Sequence, residues 1–291
     1  MKNISYESRV LESAVEREPD PHVPTIDIVR HGRTDYKELK DPSFQFDPTA
    51  EGFGLDPEHL DLNKDGIADA QGAAQQLLEM IDKDNEVVIL VTSPNFRAHS
   101  TALIIKEALL GNGIEVLNAG KIMQTLKLGQ INIKDKGDLP QWISEDKAYR
   151  TEDPSRFKEP SDEAHPAIAA RLGKELGEIF SEDYQNIDKR FEDYLRYMTN
   201  IYRNFTPETQ AALKGKKLRI ITLTHEELPA KFMKRSLDVK ENLKKGQKLE
   251  VQPYDFIQEG NDNEIKVTLY AKPGEESETG ESYVSRRFNL G

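Results

Sequence analysis

Three short apolar runs interrupt an otherwise polar chain, and each predicts a buried β-strand. They fall within residues 26–29, 87–91 and 217–224. Short runs of mostly β-branched residues are typical of strands that are covered on both faces in a parallel sheet. Polar or charged residues follow each run at once: Arg30-His31-Gly32, Thr92-Ser93-Pro94 and His225-Glu226-Glu227. The pattern therefore predicts a sheet whose strands end in chemically active side chains.

The other elements follow from helical or alternating spacing of apolar residues. Helices are predicted over residues 64–81, 161–213 (two or three helices) and 228–237. A short strand is predicted at residues 114–117, and the stretch from there to residue 160 is interpreted as irregular. Two alternating segments, residues 248–257 and 264–271, predict a β-hairpin around Gly260-Asn261-Asp262-Asn263.

The same patterns divide the chain into one folded domain and two ends. Residues 1–24 are charged and proline-containing, so we expect a flexible N-terminal arm. A single domain is expected over residues 25–271, with a helical cap or insertion at about 120–213. Residues 272–291 are expected to form a mobile tail. Within the domain, the proline-broken stretch 36–60 is interpreted as a long loop that either covers the site or caps an edge of the core.

Charge and composition narrow the classes of function. The chain of 291 residues has 40 basic and 52 acidic residues and a net charge of -12, which argues against nucleic acid and anionic membranes as partners. It has no cysteine, so disulfides, thiolate catalysis and cysteine-ligated metals are excluded. No segment has the length of a membrane span, and the first residues lack the apolar core of a signal peptide. We therefore expect a cytoplasmic protein.

Residues 61–69 allow two interpretations. The sequence Asp61-Leu62-Asn63-Lys64-Asp65-Gly66-Ile67-Ala68-Asp69 matches the first nine positions of a calcium-binding EF-hand loop. However, the twelfth position is Gly72, where such a loop needs a bidentate glutamate. In the alternative, Asn63 caps the helix predicted from residue 64. The cap is the favoured interpretation.

The residues after the first two strands predict an anion site. Arg30 and His31 follow the first strand, and Gly32 allows the backbone to turn tightly or to approach a ligand. Arg97 falls in the first turn of a helix that follows the second strand, where its guanidinium adds to the positive end of the helix dipole. Because neighbouring parallel strands end at the same edge of a sheet, these groups are expected to lie together.

Three segments in this order resemble the motifs of the histidine phosphatase superfamily, the phosphoglycerate mutase-like enzymes. The segments are Arg30-His31-Gly32 with Thr34, Ser93-Pro94-x-x-Arg97-Ala98-x-x-Thr101-Ala102, and Thr224-His225. The resemblance implies an α/β fold: a three-layer α/β/α sandwich with a mostly parallel central sheet, a helical insertion and a C-terminal β-hairpin. It also implies that His31 is phosphorylated during turnover and that His225 is the second catalytic histidine.

The resemblance further implies the roles of the surrounding residues. Phosphate-binding roles are implied for Arg30, Gly32, Thr34, Arg97 and His225. Many members carry a general acid in a Leu-x-Glu segment, but the comparable residues here are Leu126-Lys127-Leu128. In the acid phosphatase and phytase-like branch, a carboxylic acid just after the second histidine protonates the leaving oxygen. Glu226 and Glu227 both occupy such positions, and Glu226 is slightly preferred.

The expected function is that of a metal-independent histidine phosphatase, a hydrolase of small phosphorylated substrates that needs no cofactor. A mutase is disfavoured because Arg33-Thr34-Asp35 replaces the Glu-Ser segment of phosphoglycerate mutases. The alternative is a catalytically weak protein that binds a phosphorylated ligand in the same anion pocket and has a regulatory role. The sequence leaves the substrate's identity and the oligomeric state open.

Overall fold

Seven strands form a single sheet in this computed structural model, which describes residues 24–34, 61–131, 133–135, 138–159, 161–238, 244, 247–253, 264–270 and 283–289. The strands are β1 (Thr25–Arg30), β2 (Glu86–Thr92), β3 (Met123–Gln124), β4 (Lys217–Thr224), β5 (Lys248–Pro253), β6 (Glu264–Tyr270) and β7 (Tyr283–Asn289). Their order across the sheet is β3-β2-β4-β1-β5-β6-β7. The expected N-terminal arm, except for residue 24, and the loop over residues 36–60 lie outside the described residues.

The four strands on one side of the sheet are parallel, and their register aligns their carboxyl ends. Strand β4 lies between β1 and β2, with Thr224 beside Arg30 and Leu223 beside Thr92. Side chains that follow β1, β2 and β4 therefore emerge at the same edge. The expected α/β class with parallel strands at its centre is confirmed.

The C-terminal strands are antiparallel. Strands β5 and β6 pair as the predicted hairpin, and β5 joins the sheet beside β1. Strand β7 then pairs with β6 from Glu264 to Tyr270, which corrects the expectation of a mobile tail beyond residue 272. The charged sequence of this tail does not predict a strand, because the hydrogen bonds of β7 depend on the exposed backbone edge of β6.

Eight α-helices flank the sheet among the described residues. They are α1 (Lys64–Met80), α2 (Phe96–Gly111), α3 (Leu139–Glu152), α4 (Ser161–Arg171), α5 (Leu176–Ile179), α6 (Tyr184–Thr199), α7 (Pro207–Ala212) and α8 (Glu227–Leu237). Five of them, α3 to α7, lie between β3 and β4, where a helical insertion was predicted. Within the described ranges, no helix is long and apolar enough to cross a membrane.

Two predictions between residues 114 and 160 are wrong. The strand expected at residues 114–117 is reduced to one bridge between Val116 and Val88, and the parallel strand beside β2 is β3 instead. Helix α3 occupies part of the stretch that was interpreted as irregular. Its sequence has little amphipathic periodicity, so the helix is recognisable only from its packing against α4.

Alternating side chains of the sheet enter two separate apolar layers. Ile26 and Ile28 of β1 pack with the helices of the insertion and α8, whereas Val29 packs with α1 and α2. Asp27 points to the same side as Val29 and is fully buried. Burial alone would raise the pKa of Asp27, but Lys248 and Arg219, each 2.9 Å from one of its carboxylate oxygens, hold that pKa below its ordinary value.

Helix α1 begins with the cap that the sequence predicted. The side chain of Asn63 accepts a hydrogen bond from the backbone N–H of Gly66 over 2.8 Å. Residues 64–69 are helical, and the carboxylates of the supposed calcium loop bind other side chains. Asp69 pairs with Arg33 at 2.8 Å and Asp61 accepts from a serine of α2. The EF-hand interpretation is therefore wrong.

Gly32 and Gly66 let the turn after β1 lie directly against the first turn of α1. A Cβ on Gly32 would fall 2.1 Å from the carbonyl oxygen of Gly66, and a Cβ on Gly66 would fall 1.9 Å from that of Arg33. The backbone N–H of Asn63 also bonds to the Arg33 carbonyl over 3.1 Å. Neither glycine has room for a side chain, so this contact fixes where β1 ends.

We expect Gly66→Ala to destabilise the protein by about 3 kcal/mol, because the new methyl group must displace backbone rather than a flexible side chain. Gly111→Ala is the matched control: Gly111 is also helical, a Cβ on it would meet no atom within 4 Å, and the substitution should change stability by less than about 1 kcal/mol. Urea unfolding of both variants measures the difference. Equal stability of the two would contradict the close backbone contact.

Candidate active site

The carboxyl edge of the parallel strands brings together the basic residues predicted from sequence. Arg30 ends β1 and His31 follows it, Arg97 lies in the first turn of α2 after β2, and His225 follows β4. The rings of His31 and His225 are 5.0 Å apart between centroids. All four side chains are largely buried: His31, Arg97 and His225 are 5%, 7% and 1% exposed. The edge is thus a compact site with a high density of positive charge.

Hydrogen bonds fix the tautomer of His31. Its Nδ1 lies 2.6 Å from the carbonyl oxygen of Gly32, which can only accept, so Nδ1 carries the proton. Its Nε2 accepts a hydrogen bond from Nε of Arg97 over 3.1 Å. The ring therefore presents an unprotonated nitrogen to the guanidinium groups of the site.

Arg97 connects the segments of the site. Besides His31, it donates through Nη2 to Nδ1 of His225 over 3.2 Å and to the side-chain oxygen of Gln130. Because Nδ1 of His225 accepts, its Nε2 carries the proton and donates to Oγ of Ser93 over 2.8 Å. Both histidines are held by defined partners in single tautomers.

Burial keeps both histidines neutral. The pKa of His31 is lowered well below its ordinary value, first by burial and then by the charges of Arg97 and Arg30. Burial likewise lowers the pKa of His225, with the same two arginines adding to the effect. A neutral His31 keeps its free electron pair on Nε2, as a nucleophile requires.

Glu226 is tied to the anion site by two contacts. Its carboxylate forms an ion pair with Nη2 of Arg30 and accepts a hydrogen bond from Oγ of Ser161 over 3.2 Å. Ser161 is the first residue of α4, so this helix covers the site next to α8. An ion pair and a hydroxyl donor both favour the charged form of a carboxyl group.

Glu227 is held differently. Its Oε2 is buried and has no hydrogen-bond partner among the described residues. Burial, with a further contribution from the charge of Glu226, raises the pKa of Glu227 to about 7. The surroundings of Glu227 therefore favour its protonated form, whereas the contacts of Glu226 with Arg30 and Ser161 favour a carboxylate.

An aromatic cluster forms the wall behind the two glutamates. His165 of α4 stacks on Phe180 with centroids 5.2 Å apart and contacts the edge of Trp142. Tyr184 bonds to Nδ1 of His165 through its hydroxyl. Burial raises the pKa of Tyr184, and the nearby charges of Glu227 and Glu226 add to the increase. The start of α6 is therefore within electrostatic range of the glutamates.

The remaining predicted residues shape the turn after β1. The backbone N–H of Gly32 donates to Oγ1 of Thr101 over 3.2 Å, and that hydroxyl in turn donates to the Arg97 carbonyl over 2.8 Å. Thr34 is half-buried and is the last residue described before the gap at residues 35–60. Among the described residues, no contact of Thr34 specifies its role.

Two site residues were missed by sequence analysis. Gln130 follows β3 and binds Arg97, while Arg190 of α6 donates through Nη1 to the backbone carbonyls of Leu126, Lys127 and Gly129 over 2.8 to 3.0 Å. Arg190 thereby holds the segment that presents Gln130. Nothing in the sequence distinguishes either residue from other polar residues, because both act through contacts between distant segments.

The acidic residues near the site are dispersed among other partners. In the described part of the chain, no three His, Asp or Glu side chains are grouped so that they could hold a metal ion. The charge of the site comes instead from Arg30 and Arg97, opposed by the carboxylate of Glu226. Such an arrangement suits a dianionic group such as a phosphate monoester.

Comparisons with known proteins identify the family to which this chain is similar. The family model of the histidine phosphatase superfamily (branch 1) matches residues 26–187, a match that ends before His225. Among solved structures, similarity is found to a phosphoglycerate mutase from Bacillus anthracis, at 18% identity over 79% of this chain and 88% of that one, with a TM-score of 0.48. A mycobacterial glucosyl-3-phosphoglycerate phosphatase is 13% identical over 80% and 91% of the two chains, with a TM-score of 0.42. No curated protein matches the chain.

The neutral histidines predict how stability depends on pH. Because the folded-state pKa of His225 lies below its ordinary value of 6.5, the unfolded chain binds the proton first as the pH falls. The contribution of His225 to stability is present above pH 6.5 and is lost below it, by about 1.4 kcal/mol per pH unit. We expect the free energy of unfolding of His225→Gln, measured with urea, to fall less steeply between about pH 7 and 5 than that of the unmodified protein. Identical slopes would show that His225 is protonated in the folded protein.

Proposed function

This chain belongs to the histidine phosphatase superfamily, and we propose that it hydrolyses phosphomonoesters through a phosphohistidine intermediate on His31. The observation that supports this most is the unprotonated Nε2 of a buried, neutral His31, which accepts a hydrogen bond from the guanidinium of Arg97. A nucleophile and the cations that bind its target are thus preorganised in one place. The substrate is a small phosphorylated molecule.

In the first step, Nε2 of His31 attacks phosphorus and the bond between phosphorus and the ester oxygen breaks. The incoming phosphate takes the place of His31 as the partner of Arg97 Nε, and Arg30 and His225 bind the remaining oxygens. These groups neutralise the charge of the transferring phosphoryl group, which is the main requirement of this chemistry. The bond from Nδ1 to the Gly32 carbonyl keeps the ring in its reactive tautomer throughout.

We assign the proton donor to Glu227 rather than to Glu226, which the sequence slightly favoured. Glu226 is ion-paired with Arg30, whereas Glu227 has a pKa raised to about 7 and a buried oxygen without a partner among the described residues. A general acid works best when its pKa lies near the working pH. Glu227 gives its proton to the leaving oxygen as the alcohol departs.

In the second step, water hydrolyses the phosphohistidine. The carboxylate of Glu227 takes a proton from the attacking water, the bond between phosphorus and Nε2 breaks, and inorganic phosphate leaves. His31 returns to its neutral form and Glu227 to its protonated form, so the cycle consumes one water for each ester.

We expect His31→Ala to abolish hydrolysis of para-nitrophenyl phosphate, measured from about pH 4 to 8 in the presence of a chelator, because the substitution removes the nitrogen that attacks phosphorus. His99→Ala is the matched control, since His99 lies in α2 two residues from Arg97 and bonds to Gln124. It should retain activity within about threefold of the unmodified protein. Activity that survives in His31→Ala would exclude the phosphohistidine route. Phosphate binding without turnover in the unmodified protein would favour the binding-protein alternative.

We expect Glu227→Gln to lower kcat/KM for an alkyl phosphate by about 100-fold or more, since alkoxides leave poorly without a proton. For para-nitrophenyl phosphate, whose leaving group needs little protonation, the loss should be less than about tenfold. For the alkyl ester, kcat/KM of the unmodified protein should fall as the pH rises through about 7, the raised pKa of Glu227.

Glu226→Gln provides the matched comparison. Removing the charge of Glu226 lowers the pKa of Glu227, so the decrease of kcat/KM with rising pH should occur at lower pH in this variant. The ratio of kcat/KM between aryl and alkyl esters should remain that of the unmodified protein. A selective loss of alkyl phosphate hydrolysis in Glu226→Gln, and not in Glu227→Gln, would reverse the assignment.

A further inference from the structure

An open cavity of about 370 Å³ lies beside the anion site, between the start of α2, the segment after β3 and the N-terminal half of α6. Its lining includes Pro94, Asn95, Leu126, Gln130, Glu182 and Arg190. Gln130 binds Arg97, and Asn95 contacts the hydroxyl of Ser93, which binds His225. The cavity therefore opens next to the groups that would hold a phosphate.

The cavity opens on the side of the anion site where Gln130 binds Arg97. A group that is bonded to a phosphate beside Arg97 and extends past Gln130 would enter the cavity. A leaving group bound in this way would lie in the cavity while its phosphate lies in the anion site.

The single cation among the described lining residues is already neutralised. Nε and Nη2 of Arg190 form a bidentate pair with the carboxylate of Glu182, at 3.1 and 2.8 Å. Its Nη1 donates to three backbone carbonyls. These contacts leave one N–H of Nη2, so the guanidinium cannot bind a second carboxylate or phosphate in the bidentate way.

The groups that remain open to a ligand are neutral. The side-chain oxygens of Asn95 and Gln130 accept bonds from Ser93 and Arg97, which leaves the amide N–H groups of both for a ligand. Leu126 is 80% exposed, far more than the other exposed large apolar residues in the described ranges, Leu110 at 45% and Tyr197 at 51%. Two donors and one apolar side chain suit an oxygen-bearing group with an apolar face.

We propose that this cavity binds the leaving group of the substrate and selects an uncharged one, so that the substrates are phosphate monoesters of neutral alcohols and not molecules with a second carboxylate or phosphate. The proposal rests on the proposed hydrolase function. An anionic leaving group would have to give up its hydration beside Glu182 without gaining a cation, whereas a neutral group with hydroxyl or carbonyl oxygens loses little.

Two aryl phosphates that differ in one charge test this proposal. At about pH 6, we expect kcat/KM for 4-carbamoylphenyl phosphate to exceed that for 4-carboxyphenyl phosphate by about tenfold or more. Glu182→Gln keeps the shape of the pair but frees the charge of Arg190. The ratio should therefore fall by about fivefold or more in Glu182→Gln, and this comparison cancels the intrinsic difference in reactivity between the esters.

High salt distinguishes an effect of the protein's net charge from an effect of the cavity itself. If the net charge of the protein caused the preference, high salt would remove it in both proteins and Glu182→Gln would match the unmodified protein. That result would overturn the proposal. A ratio that persists in high salt and falls in Glu182→Gln supports it.

Leu126 is tested with a matched exposed leucine. Leu126→Ser should raise KM for the carbamoylphenyl ester by about threefold to tenfold, whereas Leu110→Ser on α2 should leave it unchanged. The inhibition constant of inorganic phosphate, which occupies the anion site alone, should be the same in both variants and thereby reports an intact fold. An unchanged KM in Leu126→Ser would overturn the assignment of the cavity.

These measurements distinguish the two proposals. If the unmodified protein hydrolyses neither ester faster than His31→Ala, the hydrolase function itself is wrong. If it hydrolyses both esters with equal kcat/KM, hydrolysis stands and the selectivity proposed for the cavity is wrong.

Discussion

The arrangement of the site depends on the guanidinium of Arg97. It contacts His31, His225 and Gln130, which follow three different strands of the sheet. A buried cation of this kind is tolerated only when acceptors surround it, and here two neutral imidazoles and an amide oxygen serve as those acceptors. Because the imidazoles accept from Arg97, their tautomers are fixed. In the proposed mechanism, the same cation would bind the phosphate and hold His31 in the tautomer that attacks it.

The two glutamates after His225 show how adjacent identical residues acquire different chemistry. Glu226 reaches Arg30 and Ser161, which favour its charged form. Glu227 begins α8, has a buried carboxyl oxygen and lies beside the charge of Glu226, so it retains its proton to higher pH. The surroundings of the two side chains cause this difference, as in other pairs of carboxyl groups in which one acts as an acid and the other stays ionised.

Sequence alone predicted the elements whose cause is local. The buried strands β1, β2 and β4 were recognisable as apolar runs, and the start of α1 from the side-chain cap of Asn63. The convergence of His31, Arg97 and His225 followed from a general property, since parallel strands deliver their ends to one edge.

The rest of the fold and of the site depended on contacts between distant segments. Strand β7 exists because β6 offers an unpaired edge, and α3 is stabilised by packing rather than by its own pattern. Gln130 is a site residue because Arg190, sixty positions later, holds its backbone segment. Likewise, the choice between Glu226 and Glu227 required the positions of Arg30 and Ser161. No local pattern encodes such pairings.

The contact between Gly32 and Gly66 has a consequence for the part of the chain between them. The backbone N–H of Asn63 bonds to the carbonyl of Arg33, and Arg33 pairs with Asp69, so the segment 35–60 leaves and re-enters the fold at neighbouring points. The entropic cost of joining two fixed ends of a chain rises by only about 0.6 kcal/mol for each doubling of the number of residues between them. The position of His31 therefore depends on the contact between the two glycines and only weakly on how many residues connect them.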